Sequence, residues 1–291
     1  MLLLLLFAVF FGSLFQLIGA GLAAYVNGDM DELLLMFERG TMGSLDFNDR
    51  KALRALQFFG TSGLFLIGPG VYAYLAFRDP ARELGLGTPT TLISLGLAVA
   101  GTLCFSPLID QLVQGSQALI DAGLSPVWVD RLRSMMETSE QTIGALIASH
   151  HWTERVETLI VVACLPAMAE ELLFRGVLQT ELLRTGLKPI YALISVALLF
   201  ALVHAQPYHI LPLFVFGLFL GWMRWKSGNL WHSIAVHFAN NALVLWGMWS
   251  SESPAPVEPE WRASDLGIAL LWATLGSILL WGFVRSMRKA A

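Results

Sequence analysis

Charge is what this chain is short of. Only 14% of its 291 residues are Asp, Glu, Lys or Arg, while 56% are hydrophobic and the mean hydropathy is +0.63. A soluble globular domain carries about 25% charged residues. With so few, the chain lacks the polar groups to clothe a water-exposed surface of its size, which excludes disorder and leaves little room for a soluble enzyme. There is no basic excess, since 18 Lys and Arg face 22 Asp and Glu, so no nucleic-acid partner is expected. Cysteine is scarce too. Cys104 and Cys164 each lie in an apolar run, and two such residues make no disulfide framework. No internal repeat is evident, and nothing marks off a separate soluble domain. The chain reads as an all-α, polytopic integral membrane protein with a single membrane domain over residues 1–291, expected in the cell membrane.

A membrane-crossing helix needs roughly 20 apolar residues, because about 30 Å of hydrocarbon is crossed at about 1.5 Å per residue. Met1 to Val26 has no charged side chain and no basic n-region, so it reads as a retained first helix. A second span runs from about Ala55 to Phe77, and a third lies within Leu84 to Ile109. The stretches 27–54 and 111–157 are polar or amphipathic loops, the latter with surface helices. A fourth span starts near Thr158. Pro189 to Met223 is too long for one crossing, and Gln206-Pro207 offers a turn, which gives two short spans. A seventh span covers about Ser227 to Trp249, and an eighth Leu266 to Val284, after the polar connector Ser251–Pro259. About eight transmembrane helices are expected. Arg78 and Arg82, Arg184 and Lys188, Arg224 and Lys226, and Arg285, Arg288 and Lys289 fall on one side, which places both termini in the cytoplasm.

Ionisable groups inside a bilayer cost at least about 2.5 kcal/mol each on insertion scales and usually carry function. Here they gather in the fourth to seventh spans, over residues 155–250, a core of four helices. The fourth contains Glu170-Glu171-Leu172-Leu173-Phe174-Arg175. Residues four apart share a helical face, so Glu171 and Arg175 can pair while Glu170 points elsewhere. The fifth span contains Phe200 and His204, and the seventh contains His237 and Asn241, again four apart. The helical rise sets Glu170 some 18 Å into its helix and His237 roughly 16 Å from the opposite face, near one level. His209 and His232 read as interfacial hydrogen-bonded residues, His150 and His151 as solvated, and Asn240 as a packing residue. The Trp residues at 222, 225, 231, 246, 249 and 281 read as interfacial anchors.

A carboxylate in a dry cavity can act as general base toward water. A nearby histidine can share that proton or pass it to a leaving amine. A second histidine with an asparagine amide suits a developing oxyanion. These are the parts of an amide hydrolase without a covalent nucleophile. Two Glu and two His could instead bind zinc, although no H-E-x-x-H occurs. A buried Glu–His chain could also serve an ion or proton transporter, and a non-catalytic immunity or sensor protein could keep the same fold.

The three patterns, Glu170-Glu171-x-x-x-Arg175, Phe200-x-x-x-His204 and His237-x-x-x-Asn241, resemble in order the motifs of the CAAX protease and bacteriocin-processing family. That group of intramembrane endopeptidases includes the CAAX prenyl protease 2, or Ras-converting, enzymes. The resemblance implies a helical membrane endopeptidase in which Glu170 and His204 activate water and His237 and Asn241 stabilise the oxyanion. Glu171 and Arg175 would hold the first motif in shape. It implies no cofactor, with zinc as the alternative. The implied substrate is a membrane-associated peptide or protein, possibly of the prenylated CAAX type.

Overall fold

The computed structural model describes residues 2–27, 47–149, 151–250 and 263–288. Among them the regular elements are helices, and no strand occurs. Helix α1 is Leu2–Asn27. Helix α2 covers Phe47–Ala76 and includes a π-helical stretch, Ser62–Ile67. Helices α3 (Leu92–Leu103) and α4 (Ser106–Gly123) follow one another across a break at Cys104-Phe105, and α5 is Pro126–Ile147. Residues 152–184 form α6, helical throughout, with π-helical stretches at Leu159–Cys164 and Leu172–Leu178. Then come α7 (Pro189–Val203), α8 (Ile210–Ser227), α9 (Leu230–Ser250) and α10 (Ala263–Arg288).

Among the described residues, four stretches are long and apolar enough to cross a membrane: Leu2–Val26, Phe47–Ala76, Leu92–Gly123 and Asp265–Met287. Pro189–Val203 is a shorter apolar helix. Helix α9 has the length, but His232, His237, Asn240 and Asn241 dilute its apolar character. The turn expected at Gln206-Pro207 does separate α7 from α8. The expected boundaries shift in two places. Helix α2 begins at Phe47 rather than near Ala55, so residues 47–54 of the expected loop are helical. The third apolar run continues past Ile109, because Pro107 opens a new helix at a position where no amide donor is needed, and α4 runs on to Gly123. The Ser251–Pro259 connector and His150 lie outside the described residues.

The chain divides into two packed units, residues 1–78 with 130–173 and residues 79–129 with 174–291. In the first, α1 lies antiparallel along α2 at close range. A Cβ at Gly63 would stand 2.4 Å from the Phe11 carbonyl oxygen and 2.6 Å from Phe15 Cβ. Small residues permit this approach where lipid gives no hydrophobic drive for association. The polar start of α2 is held differently. Arg50 and Arg54 are buried and reach Glu154 of α6 at 3.5 and 3.7 Å. Arg54 also donates to the carbonyls of Ala148 at 2.8 Å and Leu146 at 3.3 Å, just past and within the last turn of α5. Both arginines lie in the stretch 27–54 read above as a loop, and their buried partner is far off in sequence.

In the second unit, Ala98, Leu220, Met223, Val236, Leu280 and Phe283 form the core shared by α3, α8, α9 and α10. The turn before α3 is pinned to the α8–α9 junction. Gly85 has φ +75°, and a Cβ there would meet the Gly228 carbonyl oxygen at 2.5 Å. Asn229 donates from its side-chain amide to the Thr88 carbonyl at 3.0 Å.

Gly63→Ala should destabilise the protein by about 1–3 kcal/mol, because neither the Phe11 backbone nor the Phe15 Cβ can retreat from the added methyl. Gly70→Ala, where nothing lies within 4 Å of the new Cβ, should leave stability unchanged or slightly raised. Thermal unfolding in detergent compares the two, and equal midpoints would show that the α1–α2 contact is looser than described.

Candidate functional site

Phe200 is the hub of the motif residues in the second unit. Its ring is 1% exposed and meets Phe174 edge-on at 5.3 Å between centroids. The Arg175 guanidinium lies 4.4 Å from the Phe200 ring centroid and donates to the Gly217 carbonyl at 3.2 Å. The His204 ring lies 4.6 Å from Phe200, and the His237 ring meets it edge-on at 5.9 Å. Arg175, His204 and His237, from three helices, are therefore brought together around one aromatic ring. His237 is buried and also meets Phe216 edge-on at 5.7 Å. Asn241 lies one turn further along α9 and is half-buried, as is Asn240.

Local chain geometry orients His204. Helix α7 ends at Val203, and His204 is its C-terminal cap. The His204 Nδ1–H donates to the Phe200 carbonyl at 2.6 Å. A carbonyl only accepts, so Nδ1 carries a proton. Ala205 then adopts φ +51°, the one non-glycine residue in the left-handed region among those described. Such a conformation costs about 1–3 kcal/mol and persists where the surroundings impose it. One restraint is visible three residues on, where buried Tyr208 donates from its hydroxyl to Asp121 Oδ1 of α4 at 2.9 Å. Neither Tyr208 nor Asp121 was singled out from the sequence. Only the neighbouring turn hinted at Tyr208, and nothing local pointed to Asp121.

The two glutamates belong to the first unit. Glu170 is half-buried and Glu171 fully buried, at the end of the α-helical segment Leu165–Glu171. Arg175, also fully buried, lies in the second unit. Arg175 stands in the π-helical stretch Leu172–Leu178, whose hydrogen bonds span one residue more than those of an α-helix.

His232, read as an interfacial residue, is buried, with Nε2 3.0 Å from Ser94 Oγ and 3.1 Å from Thr90 Oγ1. This is no serine nucleophile with its base. Ser94 Oγ donates to the Thr91 carbonyl at 2.8 Å and completes the cap of α3. His209 is half-buried beside the turn. Among the described residues no group of three or more His, Cys, Asp or Glu side chains is placed to hold a metal ion.

Residues 152–243 match the family model described as Rce1-like, type II CAAX prenyl endopeptidase. All six motif residues, from Glu170 to Asn241, fall within that stretch, and the resemblance read from their spacing stands. No curated protein and no solved structure matches the chain.

Phe200→Ala should cost about 3–5 kcal/mol, because it empties a fully packed position and strips Arg175 of its ring. Leu199→Ala, at an exposed neighbouring position, should change stability by less than about 0.5 kcal/mol. A chaotrope titration in detergent that ranked the two equally would contradict the hub.

Proposed function

We propose that this integral membrane protein is an intramembrane endopeptidase that hydrolyses a peptide bond in a membrane-associated substrate, with prenylated CAAX-type polypeptides as the first class to test. The observation that carries the reading is the ordered set of three motifs inside the stretch that matches the prenyl endopeptidase family model. In this reading Glu170 takes a proton from water as the oxygen attacks the scissile carbonyl carbon. His237 and Asn241 stabilise the oxyanion. Collapse of the intermediate breaks the C–N bond, and the proton returns to the leaving amine from Glu170 with the help of His204. Two features support these roles. The Nδ1 bond to the Phe200 carbonyl orients the His204 ring. His237 and Asn241 project from one face of α9, one turn apart. Glu171 and Arg175 hold the first motif in shape, and both termini face the cytoplasm.

Glu170→Gln preserves shape and removes the proton acceptor, so cleavage of a farnesylated CAAX-type reporter should fall by at least about 10²-fold with normal membrane yield. Residual cleavage within roughly tenfold of wild type would defeat the base assignment. Asn241→Ala should lower kcat by about 10²–10³-fold with little change in KM, and Asn240→Ala should do much less. A larger effect at Asn240, or losses confined to KM, would make α9 a binding wall.

Metal is tested separately. Protein stripped with a strong chelator should keep its activity and contain substoichiometric zinc. One tightly held zinc per chain, with activity restored only on its return, would shift the reaction to metal-assisted hydrolysis.

A further inference from the structure

The first unit holds a groove of about 610 Å³ between α1, α2 and α5, within the size range of binding sites for small ligands and short segments. It lies outside the stretch that matches the family model. Its lining follows helical stripes. Val9, Gly12, Ser13 and Gln16 line it from α1, and Gln57, Gly60 and Thr61 are among those on α2. Ser13 and Gln16 are the only hydroxyl or amide side chains between Leu2 and Val26 apart from the Tyr25 phenol, and both face this groove.

Their depth makes that placement costly. Helix α1, with 26 residues, is about 39 Å long, and Gln16 lies about 21 Å from one end, inside any 30 Å hydrocarbon layer the helix spans. Gln57 donates to Thr61 Oγ1 at 3.1 Å, which leaves its amide oxygen and second N–H for another partner. Gln16 makes no hydrogen bond among the described residues, and its amide stands where a Cβ on Gly60 would come within 2.4 Å of Oε1. Acyl chains offer such groups no partner. The lining also contains no charged side chain, so nothing in it matches a phosphate or carboxylate headgroup. What does match is another amide. A carboxamide presents one acceptor and two donors, the complement of a peptide group, and Leu53, Leu56, Leu64 and Phe65 supply apolar walls for side chains.

We infer that this groove binds an extended, uncharged segment of the polypeptide substrate, with Gln16 and Gln57 pairing to its backbone. The inference rests on the endopeptidase reading for what the segment belongs to. An extended strand, unlike a transmembrane helix, carries unsatisfied N–H and C=O groups into the bilayer, and the two glutamines answer that need. In the same unit, α2 packs against the Leu165–Glu171 segment of α6, so the helix that bears the groove also supports the glutamates.

The test uses full-length protein in detergent with a farnesylated CAAX-type peptide that has uncharged residues upstream of the cysteine. Gln16→Leu and Gln57→Leu should each raise KM by about 2- to 10-fold, the worth of one hydrogen bond, at unchanged kcat and thermal midpoint. A lower midpoint with unchanged KM would mean that the amides only join helices and would overturn the inference. A photo-reactive residue at Ser13, in the Glu170→Gln background, should form an adduct with the peptide portion of the probe. An adduct only with the farnesyl group, with lipid, with residues 28–46 of the same chain or with a second copy would overturn it, as would no adduct. If wild-type protein failed to cleave the peptide yet the peptide adduct formed, the endopeptidase reading would fall and the groove would stand.

Discussion

A guanidinium that water does not reach governs the second unit. Arg175 is fully buried, and an arginine keeps its charge in any protein environment. The surrounding residues must therefore accommodate a permanent cation inside a membrane domain, where such a group is expensive. The Phe200 ring face and the Gly217 carbonyl are among the groups that meet it. The carbonyl is within reach because α8 comes close to α7. A Cβ on Gly217 would stand 3.1 Å from Ala197 Cα. Phe200, fixed by the cation and by Phe174, then presents its other contacts to His204 and His237. Both histidines thus share one ring with the buried cation.

The first unit handles charge in another way. Arg50, Arg54 and Glu154 are buried as a cluster, with exposed Glu157 at its edge 3.5 Å from Arg54. Removing one partner from such a group leaves an uncompensated charge and costs far more than the pair contributes. The cluster joins the start of α2, the end of α5 and the start of α6, and so fixes where α6 begins its run toward Glu170.

Much of this was legible in the sequence. Apolar runs gave the helices α1, α3, α7 and α10, because in lipid a span must be continuous and apolar. The motif residues were legible from spacing, since an acid or an imidazole in such a run has few bland explanations. What stayed hidden depended on partners distant in sequence. The stretch Phe47–Arg54 looks like a loop because its charges are visible and Glu154, which neutralises them, is not. Tyr208 and Asp121 are 87 residues apart, and no local pattern joins them. Phe200 was read only as the first residue of a motif, and its role as the shared contact of Arg175, His204 and His237 follows from packing alone.

The π-helical stretch Leu159–Cys164 separates the part of α6 that carries Glu154 from the part that carries Glu170 and Glu171. A π turn winds the backbone with one residue more than an α turn, so it sets the rotational phase between those two parts. Relaxation of this stretch to α-helix with every residue kept would turn the glutamates by about 100° about the axis relative to Glu154. Substitutions in this stretch can be absorbed one side chain at a time, whereas a change from π to α winding is felt by every group beyond it. A helical wheel drawn with one fixed period across this stretch therefore assigns the wrong face to the residues past the turn.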